Sequence, residues 1–201
     1  MKNYIMINGQ KIELTEEQAE KLRSEFAKEV KLGDVPAGET VRIGEHEMIV
    51  LEHVAGATKL LRREFLKKMA FGENNNYDGS DADKVCNDFA VEICKIVGED
   101  NVILHEVDLT ADDGLKDYGT VKRFASLRTA QMQRQYVYLL DKYRPDAWEW
   151  LATAYSTPTH DDDNWVKCVS PAGNVYYLGS YYNVYGVRPF CILKSHIFVS
   201  R

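Results

Sequence analysis

From Pro145 to the end, the chain is built of short runs rich in tryptophan, tyrosine and valine, cut apart by "STPTHDDDN", "SPAGN" and "GSYYN". Aromatic and β-branched residues suit a pleated, half-buried surface. Clusters of Gly, Pro, Asn, Asp and Ser at such close spacing leave no room for long helices. This C-terminal stretch therefore predicts three or more antiparallel strands, and with the helices expected before it the class of the whole is α+β, with sheet dominant.

The preceding residues agree. "TVRI", a turn at Gly44 and "EMIVLEHV" read as a hairpin, and "TKLLRRE" adds a third strand. "FGENNNYDGS" is loop chemistry. Ser80 is placed to cap a helix over "DADKVCNDFAVEICKIVG", in which Val85, Phe89, Ile93 and Ile96 recur at helical spacing until Gly98 ends it. "NVILHEV" is a further strand, and a shorter helix is expected from about Thr129. At the start, "YIMINGQKIEL" reads as a hairpin turning at Asn8–Gly9, since Asn-Gly supplies the positive φ angles of a type I′ turn. Thr15 and Gln18 then form a capping box for a helix whose stripe is Ala19, Leu22, Phe26 and Val30. That helix, over 15–31 and ended by Gly33, offers a face for packing or for pairing two copies. With "GDVPAG" at 33–38 as a linker, the chain divides into a hairpin and helix (1–33) and a main domain (38–201).

Composition narrows the function. A chain of 201 residues that is 45% hydrophobic and 28% charged buries a real core. The opening residues lack the basic and apolar regions of a signal peptide, and no window approaches a membrane span. Net charge is −6 and the pI about 5.4, so no general attraction to nucleic acid or anionic membrane exists. The most basic run, "KLLRREFLKK" at 59–68, reads as a solvated face.

Chemistry-bearing motifs are few. The sequence contains no GxSxG, glycine-rich phosphate loop or HExxH, and the five histidines at 46, 53, 105, 160 and 196 are scattered. A catalytic role is not expected. Cys86, Cys94, Cys168 and Cys191 have no zinc-site spacing, and Cys168 and Cys191 lie in apolar runs, which predicts reduced, inert thiols in a cytoplasm. The run His160-Asp161-Asp162-Asp163-Asn164 supplies hard oxygens that suit calcium, though not in EF-hand order, so a solvated loop and a calcium site both stay open.

Three stretches, "WEWLATAYST" at 148–157, "WVKCVSPAGNVYYLG" and "YGVRPFCIL", resemble an uncharacterised domain family common in Gram-positive gut bacteria, their phages and mobile elements. Its members share a Trp-rich strand, a "V...G" hairpin and a closing "GVRPA" strand. "GETVRIGEHEMIVLE", "NYDGSDADKVCNDF" and "FASLRTAQMQRQY" extend the resemblance to about residues 38–194. Glu149, Ala152 and Phe190 stand where tryptophan, arginine and alanine are usual, which implies local repacking. The family in turn resembles the C-type-lectin-like fold of formylglycine-generating enzymes and of retroelement-diversified variable proteins.

That resemblance implies an α+β display scaffold of antiparallel sheet and two or three helices, whose irregular loops near the last strands bind protein or sugar. The lectin calcium motifs are missing, and Cys168 and Cys191 do not stand in the formylglycine-generating motif. Gly186 to Leu193 reads as one closing strand with Val187, Phe190 and Ile192 in the sheet or core. The loop "GSYYNVYG" leaves Tyr181, Tyr182, Asn183 and Tyr185 as a contact patch, joined by Trp165 and Asp161–Asp163 if the loops meet. The expectation is a non-catalytic cytoplasmic module of phage or mobile-element origin that docks onto a protein partner. A specific version is an acidic, anti-CRISPR-like inhibitor filling the nucleic-acid channel of a defence nuclease. A calcium-dependent sugar or small-ligand binder is the rival.

Overall fold

The computed structural model describes residues 4–7, 10–19, 21 and 29–201. In chain order its strands and helices begin with β1 (Tyr4–Ile7), β2 (Gln10–Glu13), β3 (Glu29–Lys31), β4 (Thr40–Ile43), β5 (His46–Val54), β6 (Ala57–Arg62) and β7 (Lys67–Met69). Then come α1 (Asp81–Val97), β8 (His105–Asp108), β9 (Thr120–Arg123), β10 (Ala125–Ser126), α2 (Ala130–Gln135) and α3 (Val137–Leu140). The rest is strand: β11 (Glu149–Ala154), β12 (Trp165–Val169), β13 (Val175–Gly179), β14 (Tyr185–Val187), β15 (Phe190–Lys194) and β16 (Phe198–Ser200). The class is mixed α+β, mostly sheet.

Two sheets carry the body. One has the order β10-β15-β6-β5-β4-β16-β3, the other β13-β12-β11-β14-β7, and among the described residues only β11 and β14 pair in parallel. β5 is apolar at four successive positions, Met48 to Leu51, because both faces of its sheet are covered. Met48 and Val50 point into a core shared with Phe89, Ala90 and Ile93 of α1, whereas Ile49 and Leu51 meet Tyr136, between α2 and α3, and Leu140 of α3. The first turns of α1 supply Ala82 and Cys86 to a second core with Phe71, Tyr77, Trp150, Val166, Cys168 and Val187, beneath the five-stranded sheet. One helix therefore serves both sheets. Ser80 caps it by accepting from the Asp83 N–H, and Gly98 follows at φ 86°, so both signals that delimit it in the sequence hold.

The opening segment differs from expectation. β1 and β2 pair, and Thr15 and Gln18 exchange the two capping-box hydrogen bonds (2.9 and 3.2 Å). The turn at Asn8–Gly9 and the stripe positions Leu22 and Phe26 lie outside the described residues. Glu29–Lys31 are not the end of the helix: they form β3, paired with β16, and Val30 packs against the first core. Nor is 33–38 a free linker, since Leu32 and Val35 are buried and the Gly33 N–H donates to the Ser195 carbonyl. Three residues between charged neighbours carry no period long enough to separate helix from strand. The sheet edge offered by β16 decides.

The "closing strand" is also two strands. β14 ends at Val187 in the five-stranded sheet and β15 begins at Phe190 in the seven-stranded one, because Pro189 cannot donate to a ladder and breaks the run. Val187 and Phe190 are buried as expected, and Ile192 is half-buried. Gly186 is obligatory: a Cβ there would sit 2.2 Å from the Phe65 ring.

Between those strands Arg188, 1% exposed, points into a buried ionic cluster. Its Nη1 is 3.4 Å from Glu149 Oε2, its Nε donates to the Arg62 carbonyl at 2.6 Å and its Nη2 to the Tyr143 carbonyl at 3.2 Å. Arg128 pairs with the other Glu149 oxygen and holds Gln133 Oε1 at 2.8 Å. Burial works against the Glu149 charge, but the two guanidiniums outweigh it and hold its carboxyl below the usual range. Glu149→Gln leaves two buried guanidiniums sharing no carboxylate. It should cost about 3–5 kcal/mol in chemical denaturation, and a loss under about 1 kcal/mol would show the cluster to be dispensable.

A second stability effect is set by His105, whose Nε2 lies 3.0 Å from Ser126 Oγ and whose imidazole burial pushes down to about 4 from 6.5. Between those values the unfolded chain binds the extra proton, so stability is intact above pH 6.5 and falls as pH drops towards 4. Denaturation midpoints across that window should lose on the order of 2 kcal/mol, and His105→Gln should flatten the slope.

Candidate functional site

At one end of the five-stranded sheet the two loops expected to form a patch do meet. Gly179 of β13 pairs with Trp165 of β12, the Ser180 N–H donates to the Asn164 carbonyl (2.8 Å) and the Asn75 N–H to the Asp163 carbonyl (2.7 Å). The Asn75 amide adds bonds to the Ser156 and Trp165 carbonyls from a fully buried position, so one side chain ties three loops together.

The tyrosines form a ladder from solvent inwards. Tyr181 is 61% exposed and lies 4.8 Å from the Tyr182 ring, which in turn lies 5.9 Å from Tyr185. Tyr185 is half-buried and meets Trp150 at 4.8 Å and Trp148 at 6.0 Å. It therefore belongs as much to the second core as to the surface. Tyr181 lies over Gly179, where a Cβ would approach its ring to 2.5 Å, so the glycine makes the seat for the ring. Asn183 and Val184 are exposed beside them.

Trp165 does not join that ladder. Its ring meets Tyr177 at 5.8 Å, and Tyr177 stacks on Tyr155 at 4.3 Å, on the opposite face of the β12–β13 hairpin. Strand alternation explains the separation: Trp165, Lys167 and Tyr177 share one face, while Tyr176 is on the other and meets Trp148. Lys167, buried among the rings, sits 5.6 Å from each of Tyr155 and Tyr177 and bonds Asp112 at 2.9 Å. Tyr155, Tyr176 and Tyr177 are exposed site residues that the sequence reading passed over. The alternation in "WVKCV" and "VYYLG" carries the signal, once the hairpin register is known.

Carboxylates surround this end. The Ser156 and Asp113 side chains are bonded at 2.5 Å, His160 Nδ1 is 3.0 Å from the same Asp113 oxygen, and Asp117 accepts from Thr157 (2.5 Å) and Thr159 (2.6 Å). The Ser156 bond holds the Asp113 carboxyl below its usual range, and the two threonines do the same for Asp117. For Asp112 burial opposes the charge, but the Arg134 and Lys167 bonds outweigh it. Burial and the neighbouring Asp163, Asp162 and Asp117 push the Tyr118 phenol up to about 12. Segments 108–117 and 157–164 together hold seven aspartates, set against Lys116, Arg134 and Lys167. The end is strongly acidic.

Chemically this wiring is poor for nucleophilic work. Ser156, Asp113 and His160 are assembled with the carboxylate in the middle, so the hydroxyl donates to Asp113 and no imidazole stands ready to take its proton. Burial pushes the thiols of Cys86, Cys168 and Cys191 up to about 12, away from the nucleophilic thiolate. In the basic run, Lys59, Arg63 and Arg62 find Glu52, Glu47 and the His46 ring as partners.

Asp161 adopts a left-handed conformation (φ 56°), and Asp162 Oδ1 accepts from the Asn164 and Trp165 N–H groups in a local turn. Among the described residues its Oδ2 is shielded without a partner. Among the described residues no three His, Cys, Asp or Glu side chains converge to hold a metal ion. Millimolar calcium should leave the melting temperature unchanged. A rise that Asp162→Asn abolishes would reinstate a calcium site.

No family model, no curated protein and no solved structure matches the chain. No described helix is long and apolar enough to cross a membrane.

Proposed function

We propose that this protein is a non-catalytic binding module, a C-type-lectin-like scaffold of phage or mobile-element origin, that docks onto a partner protein through its aromatic, acidic loop end. The observation that carries the reading is the juxtaposition of Tyr181 and Tyr182, exposed at 61% and 41%, with the loop that carries Asp161 and Asp163, the two loops being held together by backbone hydrogen bonds. Tyrosine and tryptophan give large contact areas at low entropic cost, and rings already seated in the free protein lose little more on binding.

The partner is a protein with a basic surface. Seven aspartates at one end of a chain of net charge −6 repel nucleic acid and attract the Lys and Arg side chains that otherwise hold phosphates. A nucleic-acid-targeting defence nuclease of the bacterial host fits that chemistry. The free thiols, none of them in a disulfide, suit a reducing cytoplasm.

The test is retention of basic nucleic-acid-binding proteins from a Gram-positive host lysate on the immobilised protein, with duplex DNA as competitor. The expected result is one nuclease retained, displaced by DNA, and weakened at least about tenfold by the Tyr181→Ala, Tyr182→Ala double substitution. Equal retention by the double variant, or indifference to competing DNA, overturns the reading.

A further inference from the structure

The two sheets expose four edge strands, and three are guarded. β10 is two buried residues long, β3 carries Glu29 and Lys31, and β7 carries Lys67 and Lys68. Short length and charge are the usual defences against pairing with another chain. β13, "VYYLG", has neither: five residues, no charge, no proline and an unbroken register with β12.

The phase of that edge follows from its hairpin. The Ser170 N–H donates to the Asn174 carbonyl (2.9 Å), and at the far end the Ser180 N–H donates to Asn164 (2.8 Å). Antiparallel pairs alternate, so Tyr176 and Leu178 direct their backbone groups at β12, while Val175 and Tyr177 direct an N–H and a C=O each outward. Among the described residues those four groups have no backbone partner. Rings flank the edge on both faces: Tyr177 with Trp165 on one, Tyr176 with Trp148 on the other.

We propose that β13 is a strand-addition site that takes an extended Lys- or Arg-bearing segment of a partner protein, antiparallel to Val175–Gly179. The inference rests on the docking function above and names its mode. An added strand bonds the outward groups of Val175 and Tyr177, and its alternate side chains fall beside the two ring groups, where a cation gains from the aromatic faces. The loop that carries Asp161 and Asp163 meets the Gly179 end of the hairpin through the Ser180-to-Asn164 hydrogen bond, and its carboxylates suit a basic residue. A second copy is the worse occupant, because each copy has net charge −6.

The probe is a displayed library of random nonapeptides, selected on the whole protein. Expected are peptides of alternating β-branched residues with Lys or Arg, whose affinity falls as salt rises. Tyr177→Pro removes one outward donor without touching the ladder to β12 and should weaken binding at least about tenfold, whereas Tyr177→Ala weakens it less. Independently of that variant's folding, N-methylating the selected peptide at the amides facing β13 should abolish binding, and at the alternate amides should spare it. No enrichment, binding indifferent to Tyr177→Pro and to methylation phase, selection of acidic peptides, or a dimer in sedimentation that occupies the edge would each overturn the proposal. If the Tyr181→Ala, Tyr182→Ala variant loses the lysate partner while Tyr177→Pro keeps it, the docking function stands and the strand-addition mode falls.

Discussion

The architecture depends on one buried carboxylate. Glu149 opens β11 of the five-stranded sheet, and the guanidiniums that share it come from the turn before α2 and from the two-residue crossing between β14 and β15. Two positive groups and one negative group far from water are costly unless every donor finds an acceptor. Gln133 and the carbonyls of Arg62 and Tyr143 take further donors of the two guanidiniums. The arrangement ties the start of β11 to the point where the chain leaves one sheet for the other.

Much of this was legible from the residues. The hairpin of β4 and β5, the third strand β6, the Ser80-capped helix and the antiparallel strands after Pro145 all follow from local periods and turn residues that tertiary contacts reinforce. Other features were not. Glu149 in an apolar run signals a substitution, but its partners lie 21 and 39 residues away, and nothing local announces them. β3 is three residues long and takes its state from β16, and Pro189 splits a run whose alternation continues on both sides.

The aromatic, acidic end was half legible. The tyrosine-rich loop and the aspartate run stand out by composition, and they meet because β12 and β13 pair in the register their turn sets. Which ring faces which way is a property of that register. Trp165, grouped by sequence with the tyrosine loop, belongs with Tyr155 and Tyr177 on the other face, and Tyr185 turns inward against Trp150.

α1 contributes Phe89, Ala90 and Ile93 to one core and Ala82 and Cys86 to another, so neither sheet can lose its packing while the helix stays in place. Two sheets sharing a single helix are expected to melt as one cooperative unit. A ligand seated at the far loop end therefore raises the unfolding free energy of the whole body, and a single thermal transition becomes a gauge of occupancy at a surface that contains none of the helix.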